Sequence, residues 1–557
     1  MNFCAKRVSR LACMGLLTSA TLALASEAPG TAVDPVSQVT AEGFVLPEGH
    51  LLLSPEWMGL APALTAVDVV GHTVFSTEAL QALVKPYLGR EGDADQLLEQ
   101  LRVELSRYYV DRGYVNSGAI IERFADEQGH ARLRVVEGRL TEFQIDGLDG
   151  LQEAYVTSRL WPDTRQVFNL NTLQEDFQLL LGNPLFAKMR SNVVPGAMLG
   201  EAILDLQVQR GSPWSGYLAL DNYRSPLSGE YQAVAGVTVR NLTGWGDWLD
   251  ATVSSTESPK DTSSYSLAFN FPVPYLKTVL GLSATQGQTL ITDPSFKVAN
   301  FNNTSHSTSL SLTQPLVETL ASSLLVSADW EQRVSNNFAG QTPYSVTLGE
   351  DQGRSENKVV RYGVTYARRS ESWAGMARLT ASVGHHSLVA SALAPVGSVP
   401  PNDYRSTLFQ WLLSYRISPN WIASFRGATQ SSATPLIGME RYTPTGIQAV
   451  RGYLQSQDAY DNASTASLEL QWILPPLGDL QWSLTPFYDM GQGSNLLSAV
   501  NYSDAVVEYA SAGLAVNGQW RQWSFSLSVA NAMTNVASIP KGYAQSRGLQ
   551  FQMRYAY

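Results

Sequence analysis

Apolar residues recur along this chain in two rhythms, and the change between them falls near residue 210. Val67-Asp68-Val69-Val70 reads as a short strand closed by Gly71. Ser76 and Glu78 then open a helical stretch through Leu80, Leu83 and Tyr87 that Gly89 closes, because a serine oxygen and an acidic first turn both answer the free N–H groups of a helix start. A second helix begins near Asp93 to Asp95 and stops at Gly113. It carries Leu97, Leu101, Leu105 and Tyr108 on one stripe, as a 3.6-residue period requires. Two strand-like runs follow, Ala119 to Phe124 and Ala131 to Val136, separated by a polar turn at Asp126 to Gly129. The predicted order over 64–140 is β-α-α-β-β. It recurs over 141–210, with Phe143-Gln144-Ile145, helical patterns at Ala154 to Leu160 and Thr172 to Leu181, and strands at Ala187 to Val193 and Ala202 to Val208. Two copies of one small unit in series form an internal repeat of roughly 70 residues.

From about 211 the helical period is gone. Tyr265-Ser266-Leu267-Ala268-Phe269-Asn270-Phe271 alternates strictly, as does the last stretch, Leu549-Gln550-Phe551-Gln552-Met553-Arg554-Tyr555-Ala556-Tyr557. Alternation of this kind suits a strand with one face in lipid and one in a polar lumen. Pro272-Val273-Pro274, Pro315-Leu316, Ser418-Pro419-Asn420 and Pro475-Pro476-Leu477 read as tight turns. Asn336 to Asn357 and His386 to Tyr404 read as long polar loops. Short turns on one side and long loops on the other, sustained over 211–557, predict a transmembrane antiparallel β-barrel of about 16 strands.

Composition sharpens this picture. Charged residues make up 16% of the chain, against roughly 25% in soluble domains, while Tyr and Trp number 24 and 13. No apolar run after the first 25 residues is long enough for a membrane helix. Those 25 residues read as a signal peptide: Lys6, Arg7 and Arg10 precede the apolar stretch Leu11 to Leu24, and Ala23-Leu24-Ala25 gives a small-x-small cleavage pattern. Both cysteines, Cys4 and Cys13, go with it, which excludes disulfides and cysteine chemistry in the exported chain. Its removal takes Lys plus Arg from 38 to 35 against 49 acidic residues, and the net charge from −11 to −14. A chain this acidic is not expected to bind nucleic acid. Residues 26–63, broken by Pro29, Pro35, Pro47, Pro55 and Pro62, are expected to be an extended segment or linker without a helical plug.

Candidate chemistry is sparse. His385-His386 has no carboxylate or cysteine at ligand spacing, so it is expected in a solvated loop rather than on a metal. Gly244-Trp245-Gly246 is expected to be a turn. No catalytic constellation stands out and no phosphate loop is present, so neither catalysis nor a cofactor is expected. Three segments do stand out in the repeats: Val69-Val70-Gly71-His72-Thr73-Val74-Phe75-Ser76, Tyr108-Tyr109-Val110-Asp111-Arg112-Gly113-Tyr114-Val115, and Val135-Val136-Glu137-Gly138-Arg139-Leu140. Three more lie in the second region: Asn241-Leu242-Thr243-Gly244-Trp245-Gly246-Asp247, Val450-Arg451-Gly452-Tyr453, and Phe487-Tyr488-Asp489-Met490-Gly491.

With these segments the chain resembles, over nearly its whole mature length, the two-partner secretion (type Vb) outer-membrane transporters. These are the haemolysin/adhesin secretion-activation type within the superfamily of outer-membrane assembly barrels. The resemblance implies a signal peptide (1–25), an extended segment (26–63), POTRA 1 (64–140), POTRA 2 (141–210) and the barrel (211–557). It implies that Val450, Arg451, Gly452 and Tyr453 form the tip of a long loop folded back into the barrel. There Arg451 would meet Asp489 of the wall motif Phe487-x-Asp489-x-Gly491, an Arg fork docking on a fixed carboxylate. The family often shows Gly-Gly ahead of the loop motif, where this chain has Thr445-Gly446-Ile447. The resemblance further implies periplasmic POTRA domains that capture an unfolded client, with a large secreted exoprotein as partner. It also implies a barrel in outer-membrane lipid, and recognition of the last strand, ending at Tyr557, by the barrel assembly machinery. An assembly factor that inserts other barrels and a plain diffusion pore remain the alternatives.

Overall fold

The structure, a computed structural model, describes residues 39–41, 63–161, 163, 165–257, 261–294, 299–389, 399–496, 505–534 and 542–557. The expected signal peptide and most of segment 26–63, with the question of a plug helix, lie outside the described residues. The chain divides into two compact units, with the division between Ser212 and Pro213.

In the first unit, β2 (Ala66–Val70), α1 (Thr77–Val84), α2 (Ala94–Val110), β3 (Gly118–Arg123) and β4 (His130–Val136) follow the predicted order, with sheet order β2-β4-β3. Ser76 and Asp93 cap the two helices through their side-chain oxygens. The buried stripe of α2 is Leu98, Leu101, Leu105 and Tyr109, packed on Val67, Leu133 and Val135. Tyr108, expected on that stripe, is only half-buried beside it. The order repeats in β5 (Arg139–Asp146), α3 (Glu153–Leu160), α4 (Leu170–Leu181), β6 (Phe186–Pro195) and β7 (Glu201–Arg210). β5 starts two residues ahead of the expected 140/141 division, because Arg139 and Leu140 already pair with Glu201 and Ala202 of β7. A short strand, β1 (Val39–Ala41), lies parallel on the β6 edge, giving the order β1-β6-β7-β5.

The sequence segments of the repeats sit where the two copies join. Leu170 N–H donates to the Gly113 carbonyl and Phe168 N–H to the Gly138 carbonyl, both at 2.8 Å. Asn116 Nδ2 donates to the Gly200 carbonyl at 2.9 Å. Glu137 accepts from the backbone N–H groups of Thr73 (2.7 Å) and Val74 (2.8 Å), from Tyr109 Oη (3.0 Å) and from Thr73 Oγ1. Burial alone would raise the Glu137 carboxyl, but these donors outweigh it and hold the group below the usual carboxylate range. Burial, reinforced by Glu137, pushes the Tyr109 phenol well up. A depressed carboxyl stabilises the fold above the unfolded value, about 4.3, and that contribution is lost as pH falls through the lower, folded value. Glu137→Gln is therefore expected to cost about 1–2 kcal/mol at neutral pH. It should also flatten the acid limb of stability, as read by urea unfolding of residues 63–212 across pH.

The second unit closes as a ring. Its strands are β8 (Trp214–Asp221), β9 (Gln232–Arg240), β10 (Trp248–Thr256), β11 (Ser263–Pro272), β12 (Val279–Leu290), β13 (Phe301–Glu318), β14 (Ser322–Ala339) and the two-residue β15 (Thr342–Pro343). They continue as β16 (Arg354–Arg369), β17 (Trp373–His386), β18 (Asp403–Ser418), β19 (Trp421–Ser432), β20 (Asn462–Ile473), β21 (Leu480–Ser494), β22 (Val507–Trp520), β23 (Trp523–Ala532) and β24 (Leu549–Ala556). Neighbours in sequence pair antiparallel, β14 also pairs directly with β16, and β24 closes on β8 from Gln552↔Asp221 to Ala556↔Tyr217. Leaving β15 aside, the ring has 16 strands, as predicted. Alternation gives each strand two faces. In β16, Tyr362, Val364 and Tyr366 are exposed outward, while Ser355, Asn357 and Val359 are buried inward. An apolar outer wall of this kind is the surface a lipid bilayer requires. At the short-turn end, aromatic pairs line the rim: Trp214 on Tyr557, Trp421 on Trp472 and Trp523 against Tyr555, with ring centroids 4.9, 5.5 and 5.0 Å apart.

Three local expectations differ. Pro315-Leu316 is not a turn: it is a register shift inside β13, where the missing proline N–H is tolerated by a bulge. The loops expected at 336–357 and 386–404 are shorter, because Asn336–Ala339, Arg354–Asn357, His386 and Asp403–Tyr404 continue strands whose polar residues pair beyond the apolar band. His385-His386 therefore ends β17 rather than lying in a solvated loop. His385 pairs with Asp403 at 2.8 Å, and His386 is fully buried, stacked on Tyr404. Residues 241–247 do form a turn, in which Asp247 accepts from the N–H groups of Leu242 and Thr243.

Candidate functional site

Between β19 and β20 the chain does not take a short path. Residues 433–461, called here the inner loop, dock on inward-facing residues of the wall. On β20, Thr465, Ser467 and Glu469 face inward while Leu468 and Leu470 face out. On β21, Phe487 and Asp489 face inward while Tyr488 and Met490 face out.

The loop tip brings all the predicted residues together. Arg451 Nε lies 2.7 Å from Asp489 Oδ2 and Nη2 lies 2.8 Å from Oδ1, a two-pronged fork, and the Arg451 backbone N–H adds a third bond to Oδ2 at 3.1 Å. The guanidinium sits over the Phe487 ring, 3.4 Å from its centroid. Gly452 holds φ +89°, a left-handed turn that frees the following residue to point along the wall. Gly491 leaves room for Val450: a Cβ there would stand 2.9 Å from Val450 Cγ2. Val450 and Tyr453 are fully buried in a cluster with Tyr460, Ala463 and Tyr509. Tyr453 Oη donates to the Ala510 carbonyl at 2.9 Å and meets Thr534 Oγ1 at 2.6 Å, tying the tip to β22 and to the loop after β23.

Several partners were not legible in the sequence motifs. Glu469 Oε1 lies 2.8 Å from the same Arg451 Nη2, which also donates to Ser467 Oγ at 3.0 Å, so one cation is shared by two carboxylates. Asp461 is fully buried and accepts from the Leu436 N–H (2.8 Å) and Arg441 Nε (3.0 Å), binding the two ends of the loop together. Gln545 is fully buried, accepts from the Gln455 N–H at 2.8 Å and donates to the Arg224 carbonyl at 2.7 Å. These are lone acids and amides far apart in sequence. Only the alternation of β20, which marks Glu469 as inward-facing two residues from Ser467, offered a local sign. Among the described residues no group of three or more His, Cys, Asp or Glu could hold a metal ion.

Chemically the site is a clasp. Removing one partner of such a buried pair costs about 3–5 kcal/mol, although the intact pair adds much less to net stability. It therefore fixes a position more than it stabilises a fold.

Comparison with known proteins identifies the family and the fold. Residues 200–518 match the family model of the haemolysin secretion/activation proteins ShlB/FhaC/HecB, and residues 63–138 match the ShlB-type POTRA domain. The chain is 24% identical over 508 residues to the heme/hemopexin transporter protein HuxB of Haemophilus influenzae, covering 86% of this chain and 85% of that one. It is 25% identical over 415 residues to the outer membrane transporter CdiB of Dickeya dadantii, covering 72% and 71%. Its fold is similar to CdiB from Escherichia coli, with a TM-score of 0.68 at 18% identity over 89% of this chain and 90% of that one. The chain belongs to the ShlB/FhaC/HecB haemolysin secretion/activation family, the outer-membrane β-barrels with periplasmic POTRA domains that export a partner exoprotein by two-partner secretion.

Proposed function

We propose that both α/β units take up an unfolded client in the periplasm, and that the inner loop, clasped by Arg451 to Asp489, is the part of the lumen that moves to let it pass. The observation that carries this reading is the clasp itself. A charged loop tip drawn into a barrel and seated through three bonds on one wall carboxylate is a costly arrangement for a passive pore. Capture is supported by the β6 edge, which already accepts an extended segment: Val39, Thr40 and Ala41 pair with Ser191, Asn192 and Val193. A peptide edge of this kind recognises backbone and asks little of sequence, which suits an unfolded client. The apolar outer wall would face outer-membrane lipid, and the last strand, ending in Tyr557, would be read by the barrel assembly machinery. The client is a large secreted exoprotein. Mass spectrometry of culture supernatants with and without this gene tests the reading: one large protein should vanish from the medium when the gene is deleted. Supernatants that are unchanged would refute it.

A further inference from the structure

The inner loop is held at a second place, with the charges reversed. Glu440 closes the short turn Gly438–Glu440 near the start of the loop. Its Oε1 accepts from Arg361 Nη2 at 2.7 Å and from Asn357 Nδ2 at 2.9 Å, and its Oε2 accepts from the same Nη2 at 3.0 Å. Both donors are on β16. Arg361 is braced by Glu331 of β14 at 2.7 Å, and Asn357 by Tyr404 Oη of β18 at 2.9 Å. Beside this pair Leu436 of the loop is fully buried against Val359 and Tyr404.

Position gives these contacts their meaning. The loop leaves β19 and returns into β20. Arg451 reaches forward to β20 and β21, while Glu440 reaches back past β18 and β17 to β16. The two anchors share no partner, and they stand on either side of the loop's own root. Between them the loop spans the inner faces of β17 to β20 as a strap. Asp461 ties the Leu436 end to the return strand, so the strap behaves as one body.

We propose that Glu440 is a positioning residue for export: its grip on Arg361 and Asn357 is the second anchor of the strap, and the strap clears the lumen only when both anchors release. This rests on reading 433–461 as the moving segment. Beyond Cys13 the chain has no cysteine, which makes a clean test available. Full-length protein carrying Glu440→Cys and Arg361→Cys is joined in the membrane by a reducible bis-maleimide. Export per assembled barrel should fall roughly tenfold or more, as expected when a transport-competent state is excluded, and return on reduction. In a second arm, Glu440→Gln in planar bilayers should raise the frequency of small-ion opening events roughly tenfold, the effect of weakening a charged hydrogen bond. Export that continues through crosslinked barrels, or an opening frequency for Glu440→Gln equal to wild type, overturns the second anchor. If the cysteine pair fails to assemble, the bilayer arm decides alone. Normal export by Arg451→Ala would instead sink the moving-loop reading beneath it, so the two failures are distinguishable.

Discussion

Replacing Arg451 with alanine should cut the client exported per assembled barrel by roughly tenfold or more, a loss in keeping with about 3–5 kcal/mol for breaking a buried pair. The change leaves Asp489, fully buried, and Glu469 facing each other across the space the guanidinium filled. Two carboxylates without their shared cation repel each other, the tip loses its side-chain anchor, and Val450 and Tyr453 lose the register that seats them beside Tyr509. The barrel itself should still assemble. Its closure rests on strand ladders such as the one from Phe301↔Ala339 to Glu318↔Ser323, none of which involves Arg451. Heat-modifiable mobility reports assembly, and immunoblotting of the medium reports export. Arg451→Lys should fall between, because an ammonium keeps the charge but cannot fork onto Asp489 while also reaching Glu469. Equal loss of assembly and export in Arg451→Ala would make the pair architectural.

Deleting residues 64–210 should reduce export below detection while a closed barrel remains in the outer membrane. Among the described residues the barrel's strands, from Trp214 to Ala556, pair only with one another, so the deletion removes no rung of the ring. What it removes, on the proposed reading, is capture. A tethered binding site raises the local concentration of a client segment to roughly the millimolar range, and an unfolded exoprotein in the periplasm has no comparable route to the lumen. Client that accumulates or is degraded in the periplasm, with barrel levels unchanged, is the expected pattern. Client still reaching the medium would remove the capture role from these units.

How far the sequence foretold all this depends on the range of each interaction. The two α/β units were legible because helix period, caps and breakers are local: Ser76, Asp93 and Gly113 sit where they were expected to act. One slip there, Tyr108 for Tyr109, is a single-residue phase error on a helix, since the stripe drifts around the axis as it lengthens. Barrel strands were legible in number but not in length. His386, Asn336 and Asn337 are polar, and period-2 alternation loses its contrast once a strand rises past the apolar band. The Arg451 and Asp489 motifs could be matched because each is compact, 38 positions apart in a fixed order. Glu440 and Arg361, 79 positions apart, belong to no motif. An inward-pointing charge on a strand looks the same in sequence whether it meets water or a loop, so their pairing is a fact of closure alone.

The account turns on Arg451 and Asp489 acting as one unit inside the closed ring. The direct measurement is a four-cornered comparison of export per assembled barrel in wild type, Arg451→Ala, Asp489→Ala and the double variant. If the two residues form one clasp, the double variant exports about as much as the Arg451→Ala single variant. Losses that multiply in the double variant would show two independent roles and contradict the clasp.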